Sequence, residues 1–368
     1  MRVLDALLAI FADYWGEKVA SKAARALIYS IVCNFLQARD AAFRWRLNVL
    51  LNFPPGWGKS HMLFLMQELL TRTSAGELLR CVDISAATMA ALRGTVNEGI
   101  FIPPEYALAD IIIISELSSL MDFTNEAMGQ LLTLLEEGRV RVALAKNALI
   151  NDEGLELARE LGISFDHRSK RFSYATRAAT WCATHSLEVI PQRFQDAFFS
   201  RFLVVQMGPE EMPRERVAQA LPRIDSARKA RVMAAFIARA RAGEIDEDFT
   251  NEVLEYIVAH SRADVEINFR IAGDIRRIAA AHHVLVPEDS VPQVAKIVNQ
   301  YLGIITLNLR DQIVEFIDGQ ARTFAEIQAA TRASKGAIYN VLNRIKAKRL
   351  APLRKGQKTR YYLGDLAE

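Results

Sequence analysis

The segment from Asn48 to Leu65, NVLLNFPPGWGKSHMLFL, leaves few folds open. It reads as a buried strand from Val49 to Phe53, a tight turn of proline and glycine, the triplet Gly58-Lys59-Ser60, and an amphipathic helix. This order builds a cradle for phosphate. Gly56 and Gly58 let backbone N–H groups turn inward, Lys59 reaches the β and γ phosphates, and Ser60 is placed to hold Mg²⁺. The helix behind them offers its positive end to the anion. Pro55, Gly56, Trp57, Gly58, Lys59, Ser60 and His61 are therefore the candidate nucleotide-binding residues. The general pattern is G-x-x-x-x-G-K-[ST], and its first glycine position is occupied by Phe53.

At 368 residues the chain is long enough for two or three domains with cores of their own. Its 51% hydrophobic and 24% charged residues are those of an ordinary soluble globular protein. No apolar run reaches the ~20 residues of a membrane span. The start, MRVLDALLAIFADYW, has acids inside its apolar part and no small-residue cleavage site, so a cytoplasmic protein with no membrane partner is expected. Cys33, Cys81 and Cys182 are scattered, which fits a reducing compartment and argues against a disulfide framework or zinc site. His282 and His283 are adjacent, hence about 100° apart on a helix, and are expected at the surface rather than as paired ligands.

Charge is unevenly spread. Leu309 to Leu363 carries twelve Lys or Arg against four acids, a local +8; since the whole chain totals +3, the remainder is left at −5. The C-terminal end is where nucleic acid is expected.

Residues 1 to about 45 have helical apolar spacing and precede the glycine loop as packed helices, with no separate N-terminal domain expected. Leu79 to Ile84 predicts a short strand, and Ser85 to Val96 a helix. The run Ile111 to Ile114 is that of a central parallel strand buried on both faces. It ends in Ser115-Glu116, where a nucleotide hydrolase keeps a metal-binding Asp and a water-activating Glu. Glu116 suits the second role, and Ser115 stands in the position of the first. Thr124 to Glu137 predicts a helix stopped by Gly138, and RVRVALA a strand. Lys146 to Arg177 is a polar insertion with the basic cluster HRSKRFSYATR, read as a projecting hairpin that carries Lys170 and Arg171.

Ala178 to Thr184 and Phe198 to Gln206 read as further strands. Arg201, between two phenylalanines, is too costly to bury alone, so it faces solvent or reaches a partner. Glu210 to Leu302 reads as helical, with Arg270, Asp274 and Arg277 on one side of a helix and Ile271, Ile275 and Ile278 on another. Three helices (Asp311 to Asp318, Phe324 to Thr331, Lys335 to Leu350), capped by Thr323 and Ser334, precede two short strands around Lys355-Gly356-Gln357. That is a winged-helix pattern. Its third helix presents Lys335, Tyr339, Asn343 and Lys346 to a DNA groove, with Lys355, Lys358 and Arg360 in the wing.

The order of phosphate loop, apolar strand ending in Glu, LLTLLEEGRV, polar strand, SRF, helical lid and winged helix resembles an AAA+ ATPase. Within that class it is most similar to the motor half of the minichromosome maintenance (MCM) helicases, over roughly Leu27 to Leu363. The resemblance implies an α/β fold with a P-loop AAA+ core over 1–207, a helical lid over 208–303 and a winged-helix DNA-binding domain over 304–368. It implies that Lys59 and Ser60 grip Mg-ATP and that Glu116 is the catalytic glutamate. Lys146 falls near the basic position of a DNA-contacting hairpin. Arg201 matches the arginine finger and Arg270 the lid arginine, both of which act across subunit boundaries in that family, so a ring, usually of six subunits, is implied. Three positions depart from the pattern. Phe53 replaces the first loop glycine, Ser115 the metal-binding Asp, and His185 or Thr184 the sensor asparagine; a counterpart of the family's N-terminal DNA-binding domain is not expected.

Three functions follow as expectations. The first is an oligomeric ATP-dependent DNA helicase or translocase acting in replication, on single-stranded or forked DNA. The second is a DNA-binding replication scaffold that binds nucleotide with little or no hydrolysis. The third is a MoxR-like protein-remodelling ATPase.

Overall fold

The computed structural model describes residues 2–40, 44–71, 79–84, 95–97, 100–102, 107, 109–120, 125–143, 152–160, 162–168, 171–207, 226–261, 265–303, 317, 321–331, 335–344, 347–350 and 359–362. The chain forms two compact units. One comprises Met1–Ala259 and Glu266–Leu302, the other His260–Val265 and Gly303–Glu368.

The first unit opens with α1 (Val3–Trp15), which ends where Gly16 takes φ 85°. A second helical run from Glu17 passes through a π-helical stretch into α2 (Arg25–Gln37). Glu17–Gln37 is long and apolar enough by composition to cross a membrane, which the sequence reading did not anticipate. Of its most apolar window, 78% is buried inside the unit, as in the core helix of a globular domain. Then come β1 (Val49–Asn52), α3 (Lys59–Thr71), β2 (Cys81–Asp83), β3 (Thr95–Asn97), β4 (Ile100–Ile102) and β5 (Ile111–Ile114). They are followed by α4 (Asn125–Glu137), β6 (Arg139–Ala143), α5 (Asp152–Glu160), β7 (Ser164–Asp166), β8 (Arg171–Ala175), β9 (Ala179–Thr184), α6 (Gln192–Phe199) and β10 (Leu203–Gln206).

Five of these strands form one parallel sheet in the order β10-β1-β9-β5-β2. All four isoleucines of β5 and all six residues of β9 are buried, as a sheet covered on both faces requires. On one face Leu50, Ile112, Ile114 and Cys182 pack with Met128, Leu131, Leu134 and Leu135 of α4 and Phe198 of α6. On the other, the Trp181 indole donates to Ser30 Oγ at 2.9 Å and seats α2 against β9. The fold is α/β, with helices on both faces of a parallel sheet.

Strands β6, β8 and β7 form a separate antiparallel sheet, so the polar insertion does contain a hairpin. Two expectations are corrected. Phe198 to Phe202 is not strand: Phe198 and Phe199 end helix α6, and only Leu203–Gln206 pairs with β1. Thr95 and Val96, expected to be helical, lie in β3 and pair with β4; 85–94 is outside the described residues.

Helices α7 (Ser226–Ala242), α8 (Glu247–Ala259), α9 (Phe269–Leu285) and α10 (Val291–Leu302) complete the unit. Ile275 and Ile278 of α9 are fully buried, and α9 packs on α2. His282 is 2% exposed, contrary to the surface position expected of it. Its Nε2 faces Asp289 Oδ2 at 2.9 Å and its Nδ1 the Tyr29 hydroxyl at 2.6 Å. The carboxylate accepts from Nε2–H, so Nδ1 accepts from the Tyr29 hydroxyl. His283 is partly buried and stacks on Phe249 at 4.1 Å.

The second unit has β11 (Arg322–Thr323), α11 (Phe324–Thr331), α12 (Lys335–Arg344), β12 (Lys348–Leu350) and β13 (Arg360–Tyr362), the strands forming an antiparallel sheet in the order β11-β13-β12. Ile317, Ile327, Ile338, Leu342 and Tyr361 make its core. Thr323 caps α11 as expected: its N–H donates to Glu326 Oε2 at 2.7 Å, and the Glu326 N–H to Thr323 Oγ1 at 3.3 Å. The expected third helix is shorter than read, since it ends at Arg344 and Lys348–Leu350 is strand. Ser334 and most of 311–318 fall outside the described residues.

Candidate functional site

Because the five strands are parallel, their C-terminal ends share one edge, the place where open α/β sheets bind ligands. Three of those ends bring the predicted residues together.

After β1 the Phe53 N–H donates to Thr184 O at 3.3 Å, and the Phe53 ring is 1% exposed. Phe53 is thus spent on the core. The turn follows with Pro55 and Gly56 exposed and Trp57 half-buried. Gly56 takes φ 79° and Gly58 φ 70°, angles that side chains resist. A Cβ on Gly58 would also stand 3.0 Å from the Trp15 indole nitrogen, so α1 backs the loop directly. The first helical bond of α3 runs from the Met62 N–H to Gly58 O, which aims the helix N-terminus at the turn.

Lys59 is buried and its ammonium donates to Phe53 O at 3.0 Å and Pro54 O at 3.2 Å, folded over its own loop. Partial burial pulls its pKa down, opposed by the nearby Glu116 carboxylate. The Ser60 hydroxyl donates to Ser115 O at 3.0 Å, tying the start of α3 to the end of β5. Glu116 accepts from Ser118 Oγ at 3.0 Å and lies 3.5 Å from His185 Nδ1. Thr184 is fully buried and its hydroxyl is used within its own turn, donating to Ser186 O at 2.7 Å. Of the two candidates for the sensor position, His185 is therefore the one that reaches Glu116. His61 is exposed beside Trp15 and Tyr14, with ring centroids 5.6 and 6.0 Å away.

The donor set at this edge is backbone N–H groups, an ammonium and a hydroxyl, which suits phosphate. Ser60 offers one protein oxygen for Mg²⁺, which binds largely through phosphates and water, so the residues fit that ion. Among the described residues no three His, Cys, Asp or Glu gather into a metal cage.

Arg201 and Arg270 lie elsewhere. Asn48, at the N-terminal end of β1, donates to Arg201 O at 3.0 Å and to Leu135 O at 3.2 Å, and takes the Thr180 N–H at 2.9 Å. Arg201 is therefore at the opposite edge of the sheet, about 16 Å along β1 from the glycine loop at ~3.3 Å per residue. Its guanidinium bonds Ala197 O and Glu136. Arg270, at the start of α9 behind the Asn268 cap, holds the other oxygen of Glu136 at 3.1 Å and also bonds Ser200 Oγ. Burial alone would raise the Glu136 carboxyl, but the two guanidiniums outweigh it and hold the pKa below its ordinary value.

These groups face a cavity of about 620 Å³ that Arg44, Arg46 and Arg277 also line. Arg46 caps α4 through Leu134 O at 3.0 Å and Glu136 O at 2.8 Å. Its burial, with Arg44 and Arg277 close by, pulls its pKa to about 10. Arg277 pairs with Asp274 at 2.7 Å, as their helical spacing allows.

Sequence reasoning did not single out Glu136. A signal was present, since Glu136-Glu137 ends a helix where the dipole disfavours anions, and such a carboxylate calls for cations.

Of the predicted DNA-contacting residues, Lys146, Lys170, Lys346, Lys355 and Lys358 lie outside the described residues. Arg171 is exposed on β8, opposite Asp166. In the second unit Lys335, Asn343 and Arg360 are exposed, and Tyr339 is 43% exposed with one ring face stacked on Phe324 at 4.5 Å. No protein-family model matches the chain, and no curated protein matches its sequence.

Proposed function

We propose that this chain is a P-loop ATPase of the AAA+ type that works as an oligomeric, ATP-dependent DNA motor, with a helical lid over 208–303 and a DNA-binding winged helix over 304–368. One observation carries the reading: Lys59, Ser60, Glu116 and His185 meet at one sheet edge, while Arg201 and Arg270 meet at the other. A hydrolase split in this way is completed by a second copy. Rings of such copies, six in the resembling family, would be cytoplasmic and would act on single-stranded or forked DNA.

In such a site the turned N–H groups, Lys59 and the N-terminus of α3 bind the triphosphate. Ser60 is the residue that would hold Mg²⁺, which when bound neutralises phosphate oxygens; Ser115 adds no charge to that task. Glu116 orients a water and takes its proton as the water oxygen bonds to the γ phosphorus and the bond to the β–γ bridging oxygen breaks. Arg201 of the neighbouring copy offsets the charge that develops, an effect worth ~10³ to 10⁵ in rate.

The test is Mg²⁺-dependent ATP hydrolysis with and without single-stranded and forked DNA. Hydrolysis that rises with DNA and vanishes in Lys59→Ala is expected. DNA binding should also weaken steeply as salt is added, given the positive excess of Leu309 to Leu363.

A second reading, a nucleotide-binding scaffold, is favoured by the His185–Glu116 contact of 3.5 Å together with Ser115, because they tie up one carboxylate and omit another. It expects ATP binding without turnover and full function in Glu116→Gln. The motor expects that variant to be dead.

A further inference from the structure

We propose that Glu136 is a positioning residue that fixes Arg201 and Arg270 as one rigid pair for use by a second copy of this chain; the inference rests on the shared-site reading above. The placement of Glu136 is costly on its own terms. It sits in the last turn of α4, next to Glu137, against the helix dipole. As a source of stability the Glu136–Arg270 pair is poor, because the side chains are 40% and 39% exposed and pairs so exposed contribute little.

What the carboxylate does achieve is geometric. Each of its oxygens holds a guanidinium from a different element, Arg201 from the α6–β10 turn and Arg270 from α9. Each guanidinium has a second anchor, Ala197 O for Arg201 and Ser200 Oγ for Arg270. Glu136 itself cannot drift, since Arg46 holds its carbonyl and Asn48 that of Leu135. Two like charges that would otherwise spread apart are thereby fixed on the rigid end of a core helix. The pair remains suited to an anion, since five arginines line the cavity against Glu136 and Asp274. Arg201 Nε is buried there without a hydrogen-bond partner.

The test uses two differently tagged full-length chains, co-expressed and purified on both tags in succession. Lys59→Ala chains keep the arginine edge, and Arg201→Ala chains keep the glycine loop. Each is inactive alone, and together they should regain ATP hydrolysis at hybrid sites. Adding Glu136→Gln to the Lys59→Ala chain should then cut the regained rate about 10²-fold, the scale of loss a misplacement of about 1 Å produces. Adding it to the Arg201→Ala chain should leave the regained rate unchanged, which also shows that the substitution is tolerated by the fold.

An active wild type whose two variants fail to co-purify or to complement overturns the shared site, and this proposal with it. Complementation that is indifferent to Glu136→Gln on either chain, lowered equally by both placements, or raised by the first, overturns the role of Glu136 alone. An inactive wild type overturns both.

Discussion

At Gly138 a single missing atom decides how α4 ends. The residue takes φ 63°, and a Cβ there would stand 2.2 Å from Arg46 Nη1 and 2.4 Å from Thr176 O. The stop was readable in LLEEGRV, because glycine after a helix is the usual end signal. The arginine folded into the vacated space was not, since Arg46 lies 92 residues away in sequence from Gly138 and its partners are carbonyls. Gly138→Ala should cost more than ~2 kcal/mol, measured as a fall in the urea midpoint at unchanged slope; a neutral result would mean that Arg46 can move away freely. His282 shows the same limit of pattern reading. Its neighbour Tyr29 lies 253 positions away and Asp289 seven positions on, past the end of α9, so adjacency to His283 carried no information about burial. Burial lowers the His282 pKa, with Asp289 opposing. The unfolded chain therefore holds more protons than the folded one as pH falls below about 6.5, and stability declines there by up to ~1.4 kcal/mol per pH unit for this group. Above that pH the contribution is fully present. Thermal melts from pH 7 to 5.5 should show a shallower decline for His282→Gln than for wild type.

Among the elements, those built on a single local pattern were legible: β5 from four isoleucines, α4 from its amphipathic period, and the start of α11 from its Thr323 cap. Those whose pattern is shared by helix and strand were not. FFSRFLVVQ is apolar enough for a strand throughout, but its first two phenylalanines end α6, Phe198 buried and Phe199 partly so, and only its last four residues find a parallel partner in β1. The strand–loop–helix of β1 and α3 was read correctly, as was the strand-end place of Ser115-Glu116, and the structure adds what Phe53 is for. The ring fills the core at the entry to the turn while the positive φ angles fall to Gly56 and Gly58. Phe53→Gly restores the general pattern at the expense of that packing. It should destabilise the protein by about 3–5 kcal/mol, as large-to-small core changes do, with no gain in ATP affinity. An equally stable variant that binds ATP more tightly would show that Phe53 obstructs the loop instead.

For the molecule as a whole, the α/β class was visible from the chain in its apolar strands. The pairing of Arg201 with Arg270 was foreshadowed only by resemblance. Their common carboxylate needed coordinates, because Glu136 lies 65 positions from one and 134 from the other. The placement of the glycine loop and the arginine pair on opposite edges also sets how turnover must count molecules. In the proposed head-to-tail arrangement a lone chain owns two halves of different sites and no whole one. An open row of n copies has n − 1 working sites, and only closure supplies the last. Specific activity should therefore climb from near zero at high dilution to a plateau, and Arg201→Ala chains titrated into wild type should lower it through every junction they enter. A rate per chain that is constant across dilution would mean that each copy works alone.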